Sequence, residues 1–379
     1  MATPIEESNL AHIGSEEDRN LKKAAAETEA NWDGAGTSEG IQIWRVENLR
    51  DENGNPKFGI NHWPKERYGE FYIGDSYIVL QTVKEEDSER FLYDIFFWIG
   101  SESSQDEYGV AAYKTVELDD LLGDAPIQHR EVQHFESEQF MNCFPGQSIK
   151  YLDGGIDSGF RNVEKSAGSF NIDDLPVRLF QVRRVDRITR CVQVPSCSGS
   201  LSHCDAFILD GRDVIYTWFG DNATPFEKSK ASVIAHNLTL QRNSEAIKEE
   251  DVGNGNEAFW EMLGGNKDDI KDEIVTKPLD SPEEHDAKMY ILSDIDSILK
   301  VEECDAVDKS NLVTDDVCLI DTGKAIFVWI GEGSSMREQS QAMILAQKHL
   351  GCVNRSSNTN VIRVLQGQEG RVHGFDEVF

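Results

Sequence analysis

The sequence predicts an α+β protein made of three tandem domains of one kind. One pattern carries that prediction: an aspartate closing a turn before an apolar strand, a Trp-x-Gly in the next strand, and a glutamate opening a helix. It starts at Asp75, Asp205 and Asp316, intervals of 130 and 111 residues, far longer than the roughly 20 to 50 residues of a solenoid unit. In the second and third copies aspartate to tryptophan is 13 residues (Asp205 to Trp218, Asp316 to Trp329), and tryptophan to glutamate is nine in all three (Trp98 to Glu107, Trp218 to Glu227, Trp329 to Glu338). The first copy has ten further residues in the hairpin after Asp75, so it is the same unit with one lengthened loop.

Residues 1–38, alanine-rich and acidic around KKAAAETEA, predict a partly helical arm. Repeat one, residues 39–160, opens on the strand IQIWRVENL and continues through FYIGDSYIVLQTV, DIFFWIG and REVQHF, all rich in β-branched and aromatic residues. Repeat two, residues 177–263, opens on PVRLFQVRRV, and repeat three, residues 288–379, on AKMYILSDI. The long helix of each starts at Ser104-x-x-Glu107, Thr224-Pro225-x-Glu227 or Ser335-x-x-Glu338, capping boxes in which hydroxyl and carboxylate satisfy each other's backbone N–H. Pro225 stands where its missing N–H costs nothing. A short helix closes each copy, with apolar residues four apart on one face: Phe140 and Phe144, Phe259 and Leu263, Phe375 and Phe379. The expected layers are a mixed sheet sandwiched between one long and one short helix. Residues 161–176 and 264–287, polar and containing Gly or Pro, are the expected linkers.

A chain of 379 residues has room for such domains. No run approaches the roughly 20 apolar residues of a membrane span, and the start MATPIEESNL lacks a basic stretch followed by an apolar one. Seven scattered cysteines without a CxxC make neither a disulfide nor a zinc framework. A protein of the reducing cytoplasm is expected. The net charge of −32 argues against nucleic acid, whose phosphates need a basic face, and suits multivalent cations. The exception is VRLFQVRRVDRITR, where Arg178, Arg183, Arg184, Arg187 and Arg190 cluster. That stretch reads either as a patch for an anionic surface or as a strand edge guarded against pairing.

Capping accounts for each glutamate alone. It does not account for the second carboxylate, Asp75, Asp205 or Asp316, at the corresponding place in every copy. Two carboxylates with backbone carbonyls suit a hard cation of calcium type, which takes six to eight oxygens, and no His or Cys recurs there to favour zinc. A carboxylate pair also serves glycoside hydrolysis, but three tandem copies without cleft residues beside them argue against an enzyme.

The stretches GIQIWRVENL, YGEFYIGDSYIVL, SSQDEYGVAAYKTVELDDLLG, APIQHREVQHFES and GGIDSGF in repeat one, RLFQV and FILD in repeat two, and FVWIG in repeat three carry a wider resemblance. Over residues 28 to 379 the chain resembles the gelsolin/villin superfamily, in its three-repeat severin and fragmin branch. The loop RDENGNPKFGINHWPKERYG is several residues longer than the family's usual connection. The resemblance implies calcium-dependent actin severing, barbed-end capping and possible nucleation by a cytoplasmic, cytoskeletal protein, monomeric when free and inhibited by phosphoinositides. Capping without severing is the alternative.

The resemblance also implies sites. Calcium within repeat one would be held by the Gly74 carbonyl, Asp75, Glu107 and the Ile156 carbonyl. In repeat two the ligands would be the Cys204 carbonyl, Asp205, Glu227 and either Asp272 or Glu273. Repeat three offers Asp315, Asp316 and Glu338, with a last ligand expected about a dozen residues past the final short helix, beyond Phe379, and hence a weaker third site. A calcium bridging repeat one to actin would use Asp119 and the carbonyls of Asp124 and Pro126. Actin itself would meet Val110, Tyr113, Glu117 and Asp120 of repeat one and Arg183, Arg184 and Lys228 of repeat two. Phosphoinositides would meet Lys150, Arg178, Arg183, Arg184, Arg187 and Arg190. The helix after Ser104 spreads Tyr108, Val110, Ala111, Ala112, Tyr113, Val116 and Leu118 over most of its circumference, leaving apolar area beyond one core-facing stripe. Tyr113→Asp is therefore expected to abolish binding of monomeric actin, and an unchanged affinity in a fluorescence titration would refute that assignment.

Overall fold

The computed structural model describes residues 29–50, 56–85, 88–103, 105–123, 126–144, 149–155, 177–185, 188–211, 213–241, 248–252, 256–272, 286–295, 298–335, 338–339, 342–343, 346, 349–350 and 359–379. The chain divides into two compact units, one of residues 1–62, 76–140 and 278–379, the other of residues 63–75 and 141–277. Among the described residues no helix is long and apolar enough to cross a membrane.

With strands numbered in chain order, the first unit holds β1 (Gly40–Arg50), β2 (Pro56–His62), β4 (Ser76–Lys84), β5 (Phe91–Ile99), β6 (Ile127–Val132), β13 (Lys288–Ile295), β14 (Ile298–Glu303), β15 (Val317–Asp321), β16 (Ala325–Ile330) and β17 (Asn360–Leu365). They form one sheet in the order β14-β13-β15-β16-β17-β6-β5-β4-β1-β2. Strands from repeats one and three thus share a sheet, where the sequence suggested a separate sheet for each repeat. The long connection after β1 also differs from its expected form: β2 turns back antiparallel on β1, from Arg50 opposite Pro56 to Trp44 opposite His62.

Alternation sorts the apolar side chains of β15 and β16 onto two faces. Cys318, Ile320, Phe327 and Trp329 join Ile362, Val372 and Phe375. Val317, Leu319, Val328 and Ile330 join Ala342, Ala346 and Leu350, helical residues spaced four apart. A strand buried on both faces reads as a continuous apolar run. In repeat one, helix α1 (Gln105–Leu121) contributes Ala111 and Leu118 to a core with Trp44, Ile78, Leu80 and Ile95. Phe140 of α2 (Glu138–Asn142) meets Phe96 edge to face, centroids 5.5 Å apart.

Two sequence expectations change here. Trp32, assigned to the arm, is buried against Trp44 and donates its indole N–H to Glu117 Oε1 at 2.8 Å, so the described end of the arm belongs to the repeat-one core. The final short helix is two 3-10 turns, Glu369–Arg371 and Asp376–Val378. Gly374 between them has φ of 81°, a left-handed conformation that interrupts an α-helix.

β6 and β17 meet antiparallel over only three residue pairs, Arg130 with Val361, His129 with Ile362 and Gln128 with Arg363. Side chains reinforce the contact. The Arg130 guanidinium donates to Thr359 O at 2.9 Å, and the Asn360 amide to Phe135 O at 2.8 Å. Arg371 pairs with Asp94 at 2.8 Å, and Asp94 also meets His129 at 2.9 Å. Arg363 pairs with Asp119 at 2.9 Å.

The second unit holds β3 (Glu70–Tyr72), β7 (Lys150–Leu152), β8 (Arg178–Val185), β9 (Ile188–Val194), β10 (Ala206–Asp210), β11 (Val214–Phe219) and β12 (Lys248–Asp251), in the order β12-β11-β10-β8-β9-β7-β3. Helix α3 (Pro225–Gln241) lies on β8, β10 and β11. Phe259 and Leu263 of α4 (Glu257–Leu263) are buried with Phe207, Tyr216 and Trp218, as the four-residue spacing predicts. β3 and β7, from the repeat-one sequence, extend this sheet beside β9.

The buried Glu131 carboxyl beside the β6–β17 contact is pushed up to about 8 by burial, against hydrogen bonds from Ser137. Its raised value means that the folded state holds the proton more tightly, so its stabilising contribution is complete below the ordinary 4.5 and is lost as pH rises through about 8. Thermal melts are expected to show the unaltered chain losing stability relative to Glu131→Gln as pH climbs through that window; parallel profiles would contradict this.

Candidate functional site

The carboxylate pairs are positioned by turns and helix starts. In repeat two, Thr224 and Glu227 form the expected capping box: the Thr224 N–H donates to Glu227 Oε2 at 2.8 Å, and the Glu227 N–H to Thr224 Oγ1 at 3.3 Å. The other carboxylate oxygen accepts the Arg184 backbone N–H at 2.7 Å, which ties the helix start to β8. Asp205, buried at the start of β10, accepts from the Gln181 amide at 2.7 Å and lies 3.6 Å from Arg183 Nε. Burial raises its carboxyl above the usual range, Gln181 and Arg183 oppose that, and the charge of Glu227 adds to it. That mutual repulsion is what a shared cation would relieve. Cys204 donates its thiol to Asp272 O at 3.1 Å, which brings the start of the linker beside the site; Glu273 lies outside the described residues.

Repeat three repeats this arrangement. Ser335 and Glu338 exchange capping bonds at 2.7 and 3.2 Å. Asp316 accepts from Ser293 Oγ at 3.3 Å, and its carboxyl is raised by burial, against that hydrogen bond, with Glu338 and Asp315 both adding to the rise. In repeat one Asp75 is fully buried. The Gly74 N–H donates to Gly154 O at 2.8 Å, and a Cβ on Gly155 would stand 2.6 Å from Asp75 Oδ1. Only glycines let this backbone, which leads to residue 156, run against the carboxylate. Ile156 and the side chain of Glu107 lie outside the described residues.

Among the described residues no three or more His, Cys, Asp or Glu side chains converge to hold a metal by themselves. The residues present still fit a hard cation that takes carboxylates together with backbone carbonyls. They offer an aspartate–glutamate pair in each of repeats two and three, and a glycine-lined backbone beside Asp75.

The other predicted residues fall into three groups. Asp119 and Glu117 are buried; Glu117 accepts from Trp32 and pairs with Lys114 at 2.9 Å. It holds the arm and does not face outward as the predicted actin contact requires, because the helix needed an acceptor for the buried indole. Asp120 is half-buried and Pro126 buried; Asp124, Arg187 and the side chains of Val110 and Tyr113 lie outside the described residues. The predicted lipid patch is narrower than its sequence. Lys150 pairs with the buried Glu70 at 2.7 Å; burial alone would raise that carboxyl, but Lys150 and Arg67 bring it down to about 2. Arg178 pairs with Asp210 at 2.7 Å, and Arg190 donates to Tyr151 OH at 3.2 Å. The Arg184 guanidinium carbon stands over the ring of Phe226, 3.9 Å from its centroid, and Phe226 immediately precedes Glu227 and Lys228 in sequence.

Sequence reasoning missed two features. Phe226, Val233 and Leu240 are exposed on α3, 63%, 52% and 63% respectively, and their seven-residue spacing, which sets them on one helix face, was the available signal. Arg363 interrupts the apolar run of β17, and a charge in a buried strand calls for a partner.

The chain matches the family model described as the gelsolin repeat at residues 64–141, 187–260 and 299–372, more than half of its length. It is 36% identical over 350 residues to "Gelsolin-like protein 1" of Lumbricus terrestris, covering 91% of this chain and 89% of that protein. It is 35% identical over 359 residues to "Severin" of Echinococcus granulosus, covering 91% and 89%. It is also 35% identical over 365 residues to "Actin depolymerising venom protein gelsolin 1" of Platymeris rhadamanthus, covering 91% and 90%.

Calcium that binds only the folded chain stabilises it, by about 2.7 kcal/mol at roughly 100 times the dissociation constant. Calorimetry is expected to show a calcium-induced rise in the melting of the second unit that Asp205→Asn and Glu227→Gln both remove. An unreduced rise in the two variants would exclude these carboxylates as ligands.

Proposed function

This chain belongs to the gelsolin-repeat family, and on that premise we propose that it severs actin filaments and caps their fast-growing ends under calcium control. The observation that carries the reading is the recurrence, in repeats two and three, of an aspartate whose proton affinity is raised by burial and further by the charge of the glutamate that opens the long helix. Relatives named severin and actin depolymerising protein over nearly the whole chain support the actin part. The proposed action is mechanical, without catalysis, in the cytoplasm and at the cytoskeleton.

Without calcium, the strand contact between β6 and β17 keeps repeats one and three in one sheet. Calcium at the paired carboxylates favours an open arrangement, to the extent that it binds that state more tightly. Repeat two then holds the filament side through Arg183, Arg184 and Lys228, with Phe226 and the apolar stripe of α3 beneath them. Repeat one wedges in through α1, using Val110, Tyr113 and Asp120, and the calcium at Asp119 with the carbonyls of Asp124 and Pro126 completes its contact with actin. Phosphoinositide headgroups compete for Arg183 and Arg184 of the basic cluster and release the cap.

The alternative, capping without severing, is separated by microscopy of single labelled filaments. Calcium is expected to produce breaks along filament sides. Arg184→Glu is expected to cut the break frequency at least about tenfold, the loss of one strong charge-assisted contact, while leaving end capping intact. Vesicles carrying phosphoinositide are expected to suppress both. End blockage without breaks would reduce the chain to a cap, and breaks in chelator would defeat calcium control.

A further inference from the structure

We infer that Arg363 occupies, in this closed state, the carboxylate that the actin-bridging calcium needs, so that this cation and the shared sheet exclude one another at a single residue. The inference deepens the proposed function and rests on its reading of Asp119 as a calcium ligand at the actin interface. Arg363 stands on β17, the strand that joins repeat three to β6, and its Nη1 donates to Asp119 Oδ2 at 2.9 Å. Asp119 stands on α1 of repeat one, 244 residues earlier in the chain. Both side chains are withdrawn from water, 9% and 4% exposed.

A calcium ion takes carboxylate oxygens at roughly 2.3 to 2.6 Å, inside the distance at which the guanidinium now sits. Two cations on one buried carboxylate repel each other in a medium that screens them poorly. When calcium arrives, Arg363 has to leave. A buried arginine without its partner is strongly disfavoured, and Arg363 is fixed to the strand that forms the three-pair contact. Its departure therefore loosens β17 from β6. The coupling runs in both directions: whatever opens the sheet frees Asp119, and whatever fills Asp119 opens the sheet.

Three variants test this in the full chain. Arg363→Ala removes the competitor, Arg363→Lys keeps its charge, and Asn360→Ala loosens the same strand by removing the amide bond to Phe135 O without touching Asp119. Amide exchange over residues 127–132 and 360–365 is measured in chelator, and the calcium concentration for half-maximal binding of monomeric actin is measured in parallel. Arg363→Ala is expected to speed exchange and to lower that concentration about tenfold, within the roughly 5- to 150-fold range of such couplings. Arg363→Lys should lie between Arg363→Ala and the unaltered chain. Asn360→Ala should lower the concentration less than Arg363→Ala for a matched gain in exchange. The inference is overturned if Arg363→Ala leaves the calcium requirement unchanged, or if Asn360→Ala shifts it as far at equal exchange. Failure of the unaltered chain to bind actin in calcium would defeat the underlying reading instead, whatever the exchange data show.

Discussion

The antiparallel contact of β6 with β17 is the constraint on which the larger unit depends. It fuses strands of the first and third repeats into a ten-stranded sheet through three residue pairs. So short a ladder leans on its polar side chains, Arg130, Asn360, Arg371 and Arg363, each of which reaches across to the other repeat. Buried ion pairs add little net stability compared with apolar packing, yet removing one partner is costly because a charge is stranded. A contact built this way is specific in register and cooperative in release. The same backbone edges would otherwise be left open to pairing with other chains.

The carboxylates of the proposed cation sites in repeats two and three sit where elements begin. Thr224 with Glu227 and Ser335 with Glu338 cap their helices, so the carboxylates are oriented by the backbone before any ion binds. Of the aspartates paired with them, Asp205 is buried and Asp316 half-buried, and their raised proton affinity follows first from loss of water and then from the neighbouring acids. In repeat two, Gln181 and Arg183 share Asp205 meanwhile. An arginine beside a buried aspartate thus occurs in both units, at Asp205 and at Asp119.

Much of this was legible in the sequence. The Trp-x-Gly spacing and the Ser/Thr-x-x-Glu starts express local geometry, and so predicted the repeats and the two observed capping boxes. The shared sheet was not legible, because IQHREV and NVIRVL have the pattern of any buried strand and periodicity does not name a strand's neighbour. Lys150, Arg178 and Glu117 read as surface charges because their partners, Glu70, Asp210 and Trp32, lie 80, 32 and 85 residues away in sequence. The 3-10 close at Phe375 reflects Gly374, a residue the four-residue apolar spacing overlooked.

The central claim is that the β6–β17 contact must open for the chain to act on actin. Arg130 and Val361 face one another across it, at the separation of directly paired residues that a disulfide can bridge, so cysteines at these two positions can lock it reversibly. The decisive measurement is filament severing in saturating calcium by the oxidised and the reduced double variant. The account predicts an inactive oxidised form that recovers on reduction; equal severing by both forms would contradict it.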